Sequence, residues 1–301
     1  MSIRHLLALP VLVALAAGCS AGTSGSPAVG SADPSSIPSP SSSPVPPTGD
    51  IDHPSGPSDV VLRLEEGGGL VPIDFLATQA PTFTLYGDGT VIFRDVDVAF
   101  PQPGADGLTR YPPYSTGRLD ESEIAELLDF AIGRGGLGLA RNGRYEHPMV
   151  ADAGTTIFDI TAGGHDKRVE VYALGFDDPT APDRQARSAF SQLAERLRHF
   201  GQGLVVPPAD YVPDRYRGVL FESQGPSAAA RPWPWPTIAV ADFAADATGS
   251  GLPRRTLTAD EIAALGIEHP PGGLSGLVLT APDGEKEYLL SLRPLFPDEE
   301  A

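Results

Sequence analysis

The sequence predicts an α+β protein, mostly antiparallel sheet with helices on one face, built as two related or packed halves behind a disordered tether. Three observations predict it. Alternating apolar and polar runs recur and meet at Asp-Gly or Gly-Gly turns, three stretches carry helical periodicity or a helix start, and the composition changes abruptly near residue 59.

In chain order, "VVLRLEE" (60–66) and "TFTLYGDGTVIFRD" (82–95) alternate in the manner of strands, the second turning at Asp88-Gly89 as a β-hairpin. "LDESEIAELLDFAI" (119–132) puts Ile124, Leu127, Leu128 and Ala131 on one helical face. Asp120 is placed to cap that helix while Glu123 reaches back to it, a variant of the capping box. A second hairpin, "TTIFDITAGGHDKRVEVYAL" (155–174), turns near Gly163-Gly164. "DRQARSAFSQLAERLRHF" (183–200) then lines up Ala186, Phe190, Leu193, Leu197 and Phe200 in one stripe, with arginines expected on the solvated side.

After the Gly/Pro-rich stretch around residue 203 the pattern returns in part. "RTLTADEIAALGI" (255–267) holds a Thr258–Glu261 capping box, and Leu257, Glu261, Ile262, Ala263 and Leu265 echo Leu119, Glu123, Ile124, Ala125 and Leu127. A third hairpin, "SGLVLTAPDGEKEYLLSLRPLF" (275–296), turns at Asp283-Gly284. The expected division is therefore residues 59–203 as one α+β domain and 204–301 as a smaller α+β half.

The 58 residues that come first read differently. Residues 1–18 have the form of a signal peptide: basic Arg4, then an apolar run of about a dozen residues, shorter than the roughly 20 needed to span a bilayer. Residues 19–58 are a linker in which 26 of the 39 positions after Cys19 are Ser, Pro or Gly, too polar to bury a core and so expected to be disordered. Fully extended, such a linker reaches on the order of 130 Å.

Between these two segments lies "LAAGC", ending in Cys19, the one cysteine of the chain. It resembles the lipobox of bacterial lipoproteins, with Ala16 where leucine is commonest. The resemblance implies that Cys19 receives a diacylglyceryl group and becomes the N-terminus, anchored on the outer side of the bacterial cell membrane. Two acyl chains hold stably where one holds marginally. The folded part, through "YGDGTVIFRD", "ADAGTTIFDI" and "SLRPLFPDE", resembles uncharacterised bacterial envelope proteins in pattern, which implies no activity.

A formal charge of −18 repels phosphate backbones and anionic headgroups, so nucleic acid is not an expected partner. Within residues 59–301 no G-x-S-x-G, H-E-x-x-H or calcium loop is present, and no cofactor is expected. "GLSGL" (273–277) has the wrong spacing for a nucleophile and reads as a strand entry. Two features carry the remaining candidates. "RPWPWPTI" holds both tryptophans, Trp233 and Trp235, in a proline-extended segment beside Arg231, suited to binding glycan or peptide or else to plugging a gap between the halves. Glu146 and His147, in a Glu-His-Pro triplet that recurs at 268–270, form with His165 the only set nominated for acid/base or metal chemistry.

The first expectation is thus a lipid-anchored, extracytoplasmic, non-enzymatic protein whose soluble part binds an envelope protein or glycan. An anchored hydrolase or metal-dependent enzyme is the alternative, and solute capture the third. Replacing Cys19 with Ser is expected to move the protein from the membrane to the soluble fraction on cell fractionation; continued tight membrane association of that variant would contradict the anchor.

Overall fold

A computed structural model describes residues 51–95, 101–176, 183–204, 206–225, 227–245, 252–267 and 270–299, all within one unit, Pro47–Ala301. Cys19, the signal-like segment, most of the linker and, of the second Glu-His-Pro triplet, Glu268 and His269 lie outside the described residues.

The chain begins with β1 (Val60–Gly68), α1 (Ile73–Thr78) and the hairpin β2 (Phe83–Tyr86) and β3 (Thr90–Phe93). It continues through β4 (Thr109–Arg110), β5 (Ser115–Arg118), α2 (Glu121–Ile132) and β6 (Gly143–Tyr145) to the hairpin β7 (Gly154–Ala162) and β8 (His165–Tyr172), then α3 (Arg184–Arg198). The last part comprises β9 (Ala209–Asp210), β10 (Arg215–Glu222), β11 (Arg231–Pro232), β12 (Ala244–Ala245), β13 (Pro253–Thr258), α4 (Ala259–Ala263) and the hairpin β14 (Leu274–Thr280) and β15 (Glu287–Pro294). Two sheets result, in the orders β6-β8-β7-β1-β2-β3-β5-β9 and β11-β14-β15-β10-β13-β12, with β4 beside β14. Among the described residues only β6–β8 and β11–β14 pair in parallel. The fold is α+β and mostly antiparallel, as the alternation requires.

Local chemistry sets the element ends. At the first hairpin Gly89 has φ +87° and the Asp88 carboxylate accepts from the Thr90 N–H at 3.0 Å, a turn that a β-carbon would strain. Asp120 and Glu123 close their box with two 2.9 Å bonds, and Thr258 and Glu261 close theirs at 3.2 and 2.8 Å. Each cap stabilises its helix by about 1 kcal/mol. The second box opens only one turn and a half of helix, and the residues before Thr258 extend as β13.

Alternation then decides which side of each strand is buried. In the first sheet Leu62, Leu64, Phe83, Leu85, Phe93, Phe158, Ile160, Val169 and Val171 point to one face, covered by Ile124, Leu127 and Leu128 of α2 and Phe190, Leu193 and Leu197 of α3. In the second, Tyr216, Leu257, Leu277, Leu290 and Leu292 pack with Ile262 of α4 and with Trp235 and Phe243. Burying each such side chain contributes roughly 1.5–3 kcal/mol. Arg187 departs from the expected solvated face of α3: it is buried and donates to the carbonyls of Tyr172, Tyr145 and Glu146 at 2.7–3.1 Å, tying the helix to the ends of β6 and β8.

The sheets are joined on the faces turned away from these helices. "YPPY" (111–114) carries the chain from β4, beside β14 of the second sheet, to β5, beside β3 of the first. Gly272 permits this crossing, because a β-carbon there would lie 1.9 Å from the Pro112 carbonyl oxygen. Arg94 stacks its guanidinium 3.8 Å over the Tyr114 ring and donates to the Gly272 carbonyl at 2.7 Å. Tyr86, Ile92, Tyr114 and Phe296 form a small buried cluster there, and the C-terminal turn that follows Phe296 locks onto arginines from both sheets. Asp298 accepts from Arg63 and from the Tyr86 hydroxyl, each at 2.6 Å, and Glu299 accepts from Arg293 at 2.9 Å and from the Phe296 N–H at 2.8 Å.

The echo between the two capped helices does not extend to topology. The first hairpin after a capped helix joins β1 through its leading strand, β7, whereas the second joins β10 through its trailing strand, β15. Residues 51–58, linker-like in composition, lie against the body: Ile51 packs on the first core, the Asp52 carbonyl accepts from Gly163 at 2.8 Å, and His53 sits 3.3 Å from Glu121. Ser, Pro and Gly do not prevent docking where a neighbouring surface supplies the partners.

Burial opposes ionisation of both Asp298 and Glu299, but hydrogen bonds and charge from Arg63 and Tyr86, and from Arg293, outweigh it and hold both carboxyls below their usual range. A depressed carboxyl contributes stability that is present above its unfolded value, about 4, and is lost as pH falls through the folded value. Melting followed from pH 7 to pH 2 is expected to show this acid limb, and Asp298→Asn is expected to flatten it. At pH 7 the same change, by leaving Arg63 buried beside a neutral partner, is expected to cost about 3 kcal/mol.

Candidate functional site

Both tryptophans of the chain border one cavity, and proline chemistry explains its shape. Prolines 232, 234 and 236 have no N–H to donate, so "RPWPWP" cannot extend a ladder far. β11 pairs with β14 over two residues only, Arg231 with Leu279 and Pro232 with Thr280, and the chain then lifts across the second core. Between this segment and the β14–β15 turn lies an open cavity of about 840 Å³, with Trp233, Pro234 and Thr237 on one wall and Thr280, Pro282 and Asp283 on the other.

The two indoles are fixed from within. Trp235 is 5 % exposed and its Nε1–H donates to the Glu261 carbonyl of α4 at 2.8 Å. Trp233 is half-buried and donates to the Ile238 carbonyl at 2.7 Å. Their rings meet edge-to-face, centroids 5.2 Å apart at 83°, with the Phe243 ring 6.2 Å from each. Both polar handles are thus spent on backbone. What the site offers a ligand is apolar ring surface and proline, with Arg231, half-buried, at the start of the segment and Asp283 at the opposite turn. The Asp283 carboxylate also accepts from the Glu285 N–H at 3.0 Å, which holds that turn. Trp235 is anchored as part of the second core; Trp233 is the ring left partly open.

Thr237 and the Thr280–Gly284 wall were not legible as site residues. Asp283-Gly284 reads only as a hairpin turn, and nothing local shows that β11 will lie beside β14.

The other candidates are distributed along β8. Register pairs Tyr145 with Val171, so Glu146 and His147 follow the C-terminal end of β8, whereas His165 opens that strand six residues before Val171, about 20 Å away. No single metal ion or proton relay brings all three together. Glu146 is mostly exposed and lies 2.6 Å from Arg144. His147 is 3 % exposed, and neither ring nitrogen has a hydrogen-bond partner among the described residues. His165 pairs with Ala162 at the hairpin turn. Among the described residues no group of three His, Cys, Asp or Glu side chains is placed to hold a metal, and no helix is long and apolar enough to cross a membrane.

The chain matches no protein family model, no curated protein and no solved structure. The site therefore rests on its own geometry.

A buried imidazole with no partner carries a desolvation cost and returns nothing for it. His147→Leu, close in volume and without polar atoms, is expected to leave the melting temperature unchanged or raise it. A drop equivalent to more than about 2 kcal/mol would show that the ring makes a polar contact.

Proposed function

We propose that the protein is a lipid-anchored, extracytoplasmic envelope protein that acts as a non-enzymatic binding module, with the cavity beside Trp233 as its contact site. The anchor rests on "LAAGC" and the Ser/Pro/Gly tether, which lets the folded part work away from the membrane surface. The observation that carries the binding reading is the pair of internally hydrogen-bonded indoles bordering an open, proline-walled cavity. A ring whose N–H is already satisfied recognises through its face, and the ligands that pair with such a face are the C–H side of a sugar or the ring of a proline. A cell-wall glycan strand or a proline-containing segment of an envelope protein is the chemistry that fits.

Because the chain has two tryptophans and both border the cavity, tryptophan emission excited apart from the tyrosines reports on this site. Titration with cell-wall glycan fragments and with proline-rich peptides is expected to give a saturable change for one of the two classes. Thr237→Arg, at an exposed position on the cavity wall, is expected to abolish it without altering the fold. No saturable change with either class, or an unaltered response in the variant, would remove the cavity as the contact site.

A further inference from the structure

The tryptophan cavity is poor in groups that hold a sugar. Apart from the indole N–H groups, already bonded to backbone, its polar side chains among the described residues are Thr237, Thr280 and Asp283. One oxygen of Asp283 accepts from the Glu285 N–H and fixes the turn. Two hydroxyls and one carboxylate oxygen therefore serve a cavity of about 840 Å³. A pyranose carries its hydroxyls around the rim of the ring, so one stacked on Trp233 turns part of that rim toward Ala281, Pro282 and Gly284, whose side chains offer no polar atom. Hydroxyls that give up water there without a partner lower the affinity. The ring of a proline has no such groups to satisfy.

The backbone of the site narrows the choice of peptide conformation. β11 ends its sheet among the described residues, and an added strand would need N–H groups along that edge. Pro232, Pro234 and Pro236 have none. A polyproline II segment makes no ladder, and its conformation is set before it binds. The walls are preset as well, since Trp235 is tied to Glu261 of α4 and Trp233 to Ile238. Little ordering is then left to oppose association. Thr237 on one wall and Thr280 on the other carry the hydroxyls that can donate to carbonyls of such a segment.

Charge complementarity narrows it further. Asp283 is the one charged side chain among the described lining residues, none of which is lysine or arginine, and the whole chain carries −18. An acidic segment is repelled. We propose that the cavity takes a proline-rich peptide in the polyproline II form, neutral or basic in charge, with a proline ring seated on the face of Trp233. The proposal rests on the reading of this cavity as the contact site and names its partner class.

The test is calorimetric titration of the full-length chain with three probes: end-capped hexaproline, about 19 Å long as polyproline II, a capped Gly/Ser hexamer, and a linear oligomer of five N-acetylglucosamine residues. Hexaproline is expected to bind saturably, the Gly/Ser hexamer at least about tenfold more weakly, and the sugar without saturation. Trp233→Leu is expected to weaken hexaproline about tenfold, the loss that follows from removing one ring face. Adding two glutamates to hexaproline is expected to weaken it relative to adding two arginines, and the difference is expected to shrink as salt is raised. Saturable binding of the sugar and not of hexaproline would overturn this proposal while keeping the cavity as the contact site. Binding of no probe would overturn both readings. Equal affinity for the two hexamers, full affinity in a folded Trp233→Leu variant, or tighter binding of the glutamate peptide would overturn the assignment of ring, site or charge respectively. The comparison of the three probes on wild-type protein decides the proposal whether or not the variant folds.

Discussion

The structure depends on the seating of its last described residues. Asp298 and Glu299 draw together Arg63 and Tyr86 of the first sheet and Arg293 of the second, while Phe296 fills the apolar cluster between the sheets. Arg63 and Arg293 are almost wholly buried, and a buried guanidinium without its carboxylate is costly, so each pair is held in place by the penalty of separating it. The Asp298 contacts cross between the sheets, whereas Arg293 and Glu299 both belong to the second sheet and the arm that follows it. The first sheet provides Arg63 and the Tyr86 phenol, the C-terminal arm of the second provides Asp298, and the joint closes only when both are folded.

This joint also shapes the rest of the inter-sheet region. Arg63 and Arg293 are committed to Asp298 and Glu299, and Glu65 and Glu170 lie in ion-pair range of Arg63, Arg144 and Arg168, so this face is a network of paired charges. The tryptophan cavity follows the opposite logic. Its two indole N–H groups are satisfied internally, and it presents apolar rings and prolines held in place by the second core.

Absence of matches to known families and folds places the whole argument on geometry. The geometry separates Glu146 and His147 from His165 along β8 and leaves His147 buried without a partner among the described residues, so these three do not form one site. It turns Arg187, one of several arginines on an amphipathic helix, into a structural tie for three carbonyl groups.

Local chemistry by itself determined the three hairpins, the two capping boxes, the apolar stripes of α2 and α3 and the α+β class, because each rests on contacts between residues close in the chain. Asp88-Gly89, Asp120 with Glu123, and Thr258 with Glu261 act over one to three residues, and alternation exposes its period within a single strand. Tertiary structure alone decided which strands became neighbours. β10 runs unbroken through Gly218 between β15 and β13, with Leu257 and Phe243 close over that glycine, and β4 and β9 each pair with the sheet of the other half. The tryptophan cavity comes from such a pairing, β11 beside β14. Contacts between residues scores of positions apart leave no periodic trace, and for that reason Trp233 was visible as a candidate while Thr237 and Thr280 were not.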